Sequence, residues 1–344
     1  MIGSRPVRAI GWTHVGRGES RTVSRDSHRN EDFQPLNPAE VPRFADIATF
    51  MRTRRHAIDP LVDVGLVGVP FDLGLNYRTG ARDGPAGVRA ASRIIRRVHP
   101  TSGIAPFDIC NVADLGDAPV NPMNKDRSIE TIEGFFAKLA GAGIVPIAIG
   151  GDHTIPLPIL RALARERPVG VLHFDAHADT LDELCGSKIN HATFLRRGHE
   201  EGLVDPARVV QLGLRGSRFD AHDVQYGHDV GYTLITMDDY EDMGRSAAIR
   251  KIDETLGAGP VYISLDIDGL DPAFLPGTGV PEIGGLTPRD VQVILRSLQG
   301  RELIGADICE VSPLHDPTGI TCITVANLMF EMLCVIADSV AARR

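Results

Sequence analysis

From residue 62 onward the chain alternates short apolar runs with longer amphipathic stretches. The runs fall at 62–69, 107–112, 144–149, 169–174, 209–214, 232–235, 261–266 and 303–308, and are rich in Val, Ile, Leu and small residues. Short runs with little polar alternation read as strands buried on both faces of a parallel sheet. Between them, the stretches 84–96, 128–142, 155–165, 247–256, 287–298 and 326–340 repeat apolar residues at helical spacing. Pro85 and the pair Thr287-Pro288 supply helix-opening chemistry. Strands alternating with helices build βαβ units. The expected fold class is α/β: a three-layer α/β/α domain with an eight-stranded, mainly parallel sheet, and no internal repeat or interdomain linker after residue 60.

Three of the strand ends carry chemistry. The run 169–174 is followed by Asp175-Ala176-His177-Ala178-Asp179; if the chain stays extended there, alternation sends Asp175, His177 and Asp179 to one side. On its own this stretch also fits a hydrated acidic turn with one hydrogen-bonded His. His153 stands just past Gly150-Gly151, at the end of 144–149, and the run 261–266 ends with Asp266 followed by Asp268. Ligands of open α/β sheets sit outside the carboxyl ends of the strands. These six side chains therefore converge as potential metal ligands. Carboxylates clustered without cations repel one another and take up protons; two divalent ions resolve that conflict, and one leaves too much negative charge. Asp271 before Pro272 reads as a turn residue, and Asp152 as a loop cap or a support for the site.

The segments Gly150-Gly151-Asp152-His153-Thr154, His173 to Asp179 and Ser264 to Pro272 resemble those of the ureohydrolase family, which includes arginase and agmatinase. Pro276-Gly277-Thr278-Gly279, Pro281 to Leu286 and Glu310-Val311-Ser312-Pro313 continue the likeness in order, from about residue 60 to 340. The resemblance implies an arginase-like fold with two Mn2+ per subunit. His153, Asp175, Asp179 and Asp266 would hold one ion; His177, Asp175, Asp266 and Asp268 would hold the other. It also implies that His191 shuttles a proton, that Glu310 grips the guanidinium, and that His191 and Glu310 contact the substrate. Asp179 would add a catalytic role by orienting protonated nitrogen, and the subunits would assemble as a homo-oligomer, a trimer or hexamer.

Within the family, stretches 42–52, 105–108 and 111–117 lean toward the agmatinase and guanidinobutyrase branch. The expected reaction is cleavage of a linear guanidino compound to urea and an amine, with agmatine leading and guanidinobutyrate or guanidinopropionate as the alternative. Three positions depart from family habits: Val280 replaces a Thr, Ala192 a Gly, and Leu181 an Asn that arginases use to read the amino-acid end of arginine. Lys188, Arg196 and Arg197, near the His191 loop, are candidates to favour a distal carboxylate, but a solvated or structural role is the preferred reading. Two other classes compete: a non-catalytic metal-binding relative, and a single-zinc deacylase on a related architecture. Neither needs the complete set of ligands and shuttle residues that is present here.

Composition narrows the partners. Acidic residues outnumber basic ones for a net charge of −9, which argues against nucleic acid, whose phosphates require a basic face. No apolar run is read as long enough to span a bilayer, so no membrane partner is expected. Five scattered cysteines without paired spacing fit a reduced, cytoplasmic setting; Cys185 falls in the expected site loop. Residues 1–58 form an N-terminal extension to a catalytic domain at 59–344. The first forty or so are rich in Arg and Ser, and read as a disordered tail or an arm on a neighbouring subunit in preference to a transit peptide.

Overall fold

The computed structural model describes residues 30–220 and 222–344. The Arg-rich start up to residue 29, expected to be a tail or arm, lies outside the described residues. Eight strands form one sheet: β1 (Val64–Val69), β2 (Val112–Asp117), β3 (Val145–Gly150), β4 (Val169–Phe174), β5 (Val204–Leu214), β6 (Thr233–Thr236), β7 (Val261–Asp266) and β8 (Leu303–Cys309). Their order is β2-β1-β3-β8-β7-β4-β5-β6, and each neighbouring pair runs parallel. The helices are α1 (Gly84–Ala91), α2 (Pro106–Ile109), α3 (Lys125–Gly141), α4 (Pro156–Leu163), α5 (Phe194–Glu200), α6 (Gln225–Val230), α7 (Met237–Met243), α8 (Arg245–Leu256), α9 (Pro288–Ser297) and α10 (Ile320–Ala342).

Alternation along each strand divides the core in two. Leu66, Ile149, Leu172, Phe174, Ile263 and Ile308 face one layer with α8, α9 and α10, whereas Val67, Ala148, Val171 and Tyr262 face the other with α3, α4 and α5. The expected three layers follow. Helix starts use the signals present in the sequence. Thr287 and Asp290 close a capping box ahead of α9, with Pro288 in the first turn, and Thr236 and Asp239 do the same for α7.

Two expectations need correction. The stretch 107–112 is not a strand: Pro106 opens the short α2, Phe107 and Cys110 are buried, and the Cys110 thiol donates to the Ala337 carbonyl at 3.4 Å. The strand begins at Val112 and carries Asp114 and Asp117, which masked its apolar pattern; Arg89 neutralises both, at 2.9 and 2.6 Å. Secondly, α10 starts at Ile320, and its 23 residues are long and apolar enough to cross a membrane by length and composition. Here 78% of its most apolar window is buried in the protein, so packing against sheet and helices accounts for its apolarity. Glu331 and Asp338 interrupt the run and obscured its length.

Residues preceding β1 lie against the body. Phe50 and Met51 are buried in the same core, the Phe50 N–H donates to Asp114 at 3.0 Å, and the Arg89 guanidinium covers the Phe50 ring at 4.2 Å.

Candidate active site

The sheet order brings β3, β8, β7 and β4 side by side. At ordinary strand spacing their carboxyl ends span roughly 14 Å, and chemistry-bearing residues stand at all four. His153 follows β3, Asp175 to Asp179 follow β4, Asp266 and Asp268 lie at the end of β7, and Glu310 follows β8. Consecutive strands β3 and β4 are separated by β8 and β7, a topological switch of the kind that opens a crevice in α/β sheets. Gly151 is required at the β3 exit, because a Cβ there would overlap the Val69 and Phe71 carbonyls.

The six expected metal ligands divide into two groups sharing one carboxylate. In the first, His153 Nδ1 lies 3.0 Å from Asp175 Oδ2, 2.9 Å from Asp179 Oδ2 and 3.2 Å from Asp266 Oδ2. In the second, His177 Nδ1 lies 3.3 Å from Asp175 Oδ1 and 3.2 Å from Asp268 Oδ2. Asp175 thus presents one oxygen to each group. The second oxygen of Asp266 accepts the Asp268 N–H at 2.8 Å. The structure therefore draws the shared-ligand pattern for Asp175 and places Asp266 in the first group.

The electrostatics call for cations. Burial and the neighbouring Asp268 and Asp175 carboxylates push Asp266 well above the usual carboxylate range, and burial followed by the Asp175 charge raises Asp179 and Asp268. Burial alone would raise Asp175 too, but the adjacent His153 and His173 rings, the latter donating from Nε2, hold it well below. His153 Nδ1, Asp179 Oδ2 and Glu310 Oε2 are buried with no hydrogen-bond partner. Unpartnered buried ligand atoms, with His153 Nδ1 and Asp179 Oδ2 2.9 Å apart among carboxylates that repel, fit a pair of divalent ions.

A row of polar residues lies beneath these ligands. In register across β5, β4, β7 and β8 stand Gln211, His173, Ser264 and Asp307, all fully buried. The Tyr262 hydroxyl and the Ser264 hydroxyl both donate to Asp307, at 2.5 and 2.9 Å. With its own proton committed, Ser264 Oγ accepts from His153 Nε2 at 2.9 Å, which leaves Nδ1 as a lone pair facing the first group. On the other side, Gln211 Nε2 donates to the Ala178 carbonyl and to His173 Nδ1, so His173 Nε2 donates to Asp175 Oδ2 at 2.9 Å. Sequence reasoning missed this row. A carboxylate inside the apolar run 303–308, and a His two residues before Asp175, were the available signals.

Glu310 adopts φ 60, held by its N–H to the Gly151 carbonyl at 2.8 Å. A positive φ at a non-Gly residue is an uncommon conformation that clusters at functional sites, and Asp179 shares it at φ 51. Glu310 Oε1 accepts the His153 N–H at 2.9 Å while Oε2 has no partner. Burial, then Asp266 and Asp152, push Glu310 well above its usual range. A Cβ on Gly279 would press on the Arg78 carbonyl at 3.0 Å and lie 3.5 Å from Glu310 Oε2, so glycine suits the close backbone approach beside this carboxylate.

His191 stands beside this carboxylate, with Nδ1 3.9 Å from Glu310 Oε1 and Nε2 3.1 Å from Asn76 Oδ1. Burial, then the charges of His177 and His153, lower its pKa to about 4. Asp152 accepts from the Gly74 and Thr154 N–H groups, and Asp271 from those of Ala273, Gly284 and Gly285, as a loop cap and a turn residue should. Above the clusters opens a cavity of about 470 Å3; its wall includes Asp179, His191 and Glu310, together with Leu181, Ala192 and Val280 where the sequence departs from family habits. Lys188, Arg196 and Arg197 do not line it: all three pair with Asp182, and both arginines also pair with Glu200.

Comparison with known proteins agrees with this architecture. Residues 62–334 match the Arginase family. A guanidinopropionase of Pseudomonas aeruginosa is 49% identical over 313 residues, 91% of this chain and 98% of the relative. The mitochondrial agmatinase of Gallus gallus is 45% identical over 303 residues, 88% of this chain and 89% of the relative. Among solved structures, the proclavaminate amidino hydrolase from Streptomyces clavuligerus superposes with a TM-score of 0.83 at 38% identity, covering 87% of this chain and 99% of that one. The chain belongs to the arginase family of ureohydrolases, metal-dependent enzymes that hydrolyse guanidino C–N bonds. The expectation of an arginase-like α/β fold is borne out.

Proposed function

We propose that this chain adds water to the guanidino carbon of a linear guanidino compound and breaks the bond to the substituted nitrogen, giving urea and an amine. The observation that carries the reading is the pair of His/Asp groups joined through Asp175, with the partnerless Oε2 of Glu310 beside them. His153, Asp175, Asp179 and Asp266 would hold one manganese; His177 and Asp268, with Asp175 and Asp266, would hold the second. When bound, the ions supply the Lewis acidity that makes water a nucleophile near neutral pH.

The chain's own groups do the rest. A guanidinium offers parallel N–H donors, and Glu310 Oε2 accepts one while Oε1 stays tied to the loop. Asp179 orients a second nitrogen. With Asn76 Oδ1 accepting from Nε2, the Nδ1 lone pair of His191 faces the site, where it can take the proton released as water adds to the guanidino carbon and hand it to the leaving amine. Leu181, Val280 and Tyr77 line the cavity and offer apolar surface to a methylene chain.

Agmatine is one substrate that this arrangement accommodates. A guanidino acid is the second reading, favoured by a cation on the cavity wall described below. The free cysteines support a reducing, cytosolic setting, and we place the catalytic domain at 59–344, assembled as a trimer or hexamer. Urea release from a panel of guanidino compounds, measured alongside manganese content, tests the reading. Full activity in rigorously metal-free protein, or no urea from any compound with two ions bound, refutes it.

A further inference from the structure

The cavity has two ends of opposite character. Its floor is anionic, with Asp179, Asp266, Asp268 and Glu310; its outer wall combines Tyr77, Leu181, Leu184, Phe219 and Val280 with two arginines on the loop after β5. Arg215 is fully engaged. Its guanidinium donates to the carbonyls of Gly213, Asp268, Gly269, Leu270, Glu282 and Ile283, at 2.6 to 3.2 Å. Arg218, three residues further along, is exposed and makes no hydrogen bond or ion pair among the described residues. The cations singled out by their sequence position, Lys188, Arg196 and Arg197, are already held by Asp182 and Glu200 away from the wall. Apart from the histidines, one uncommitted cation therefore borders the cavity among the described residues.

We propose that Arg218 is a specificity residue that receives the distal carboxylate of the substrate, so that linear ω-guanidino carboxylates are turned over ahead of agmatine. The inference deepens the guanidino-hydrolase reading above and rests on it. A molecule with a guanidinium at one end and a carboxylate at the other matches an anionic floor and an uncommitted guanidinium at the rim, and a cavity of about 470 Å3 has room for so small a chain. An arginine fork takes a carboxylate by two charge-assisted hydrogen bonds. Agmatine would instead bring its ammonium toward the same uncompensated guanidinium. Glu282 lies on this wall too, packed over Gly216, and makes no ion pair with Arg218 among the described residues. It is the group an ammonium tail would select, and thus sets the competing outcome; Asp223, the other acid on this wall, already accepts the Phe219 and Asp220 N–H groups at 2.7 and 3.1 Å.

The test compares kcat/KM for 3-guanidinopropionate, 4-guanidinobutyrate and agmatine with the manganese-loaded enzyme. The wild type should favour a guanidino acid. In Arg218→Ala the acid-to-agmatine ratio should fall at least about ten-fold, the loss expected for a charge-assisted hydrogen bond, with the acid's KM carrying most of the change. Arg218→Lys should keep part of the preference, and Arg218→Glu should invert it. If urea is released but the ratio is unchanged in both the Ala and Glu variants, the assignment of Arg218 falls and the hydrolase reading stands. A wild type that favours agmatine, with the preference lost in Glu282→Gln, likewise overturns it. No urea from any of the three compounds defeats the hydrolase reading and this inference together.

Discussion

Replacing Ser264 by Ala should loosen one metal ion and spare the other. The Ser264 hydroxyl accepts from His153 Nε2 at 2.9 Å and donates to Asp307 Oδ1 at 2.9 Å. Asp307 would keep the Tyr262 hydroxyl at 2.5 Å and the Cys309 thiol at 3.2 Å, so its charge stays solvated by the protein. The His153 Nε2–H would be left buried without an acceptor. That orphan costs about 1–3 kcal/mol, and it also frees the ring to move its proton to Nδ1, the atom that faces the ion. Losing a hydrogen-bond partner behind a metal ligand typically weakens affinity about 10–100-fold, equivalent to about 1.4–2.7 kcal/mol. The assay is calorimetric titration of manganese into chelator-stripped protein. One binding step should weaken by that factor, while the step governed by His177 and Asp268 changes far less. Melting of the stripped variant separates this loss from a failure to fold. Two steps at wild-type affinity would show that His153 needs no partner behind it, and would refute the reasoning.

Asp175→Asn should remove both ions or nearly all turnover, because this carboxylate gives one oxygen to each group; two ions bound with normal turnover would exclude sharing. His191→Ala should keep the metal content measured by elemental analysis while kcat falls roughly a hundred-fold or more. L-Arginine should rank below agmatine or a guanidino acid in kcat/KM, since the apolar Leu181 lines the cavity; first place for arginine would overturn the branch assignment. Asp316, although burial works against it, is held at about 2 by hydrogen bonds from Thr318 and from Thr321 at the start of α10. Its folded value lies below the unfolded one, so its contribution, of order 2 kcal/mol, is present above about pH 4 and lost as pH falls through 2. Urea melts should therefore show Asp316→Asn less stable by about that much at pH 7, with the gap closing in acid.

The parts of the site visible in the sequence were those written on single strand ends. Asp175, His177 and Asp179 share one short stretch, and their convergence with His153 and Asp266 follows once all the strands run the same way. What stayed hidden depends on strand order and register. The row Gln211, His173, Ser264 and Asp307 exists only because β5, β4, β7 and β8 lie next to one another, an order no local pattern specifies. Asp114 and Asp117 concealed β2 for a related reason: the arginine that neutralises them comes from another element. The loop cations near His191 take the structural role preferred for them, but proximity in sequence does not say which acids they meet. Asp182 claims Lys188, Arg196 and Arg197, leaving Arg218 at the rim.

The insertion of β8 and β7 between β3 and β4 governs when this site can come into being. During folding, His153 and Asp175 are neighbours along the chain, yet they cannot be set in place until two strands from much later in the sequence have entered the gap between theirs. Pairings of such long sequence separation are slow to form, because loop-closure entropy is spent before the contacts return it. A partly zipped sheet would present neither complete group of ligands. Metal capture should thus follow assembly of the sheet and lock it in its final form, so that ions act on the persistence of the native state more than on the speed of reaching it.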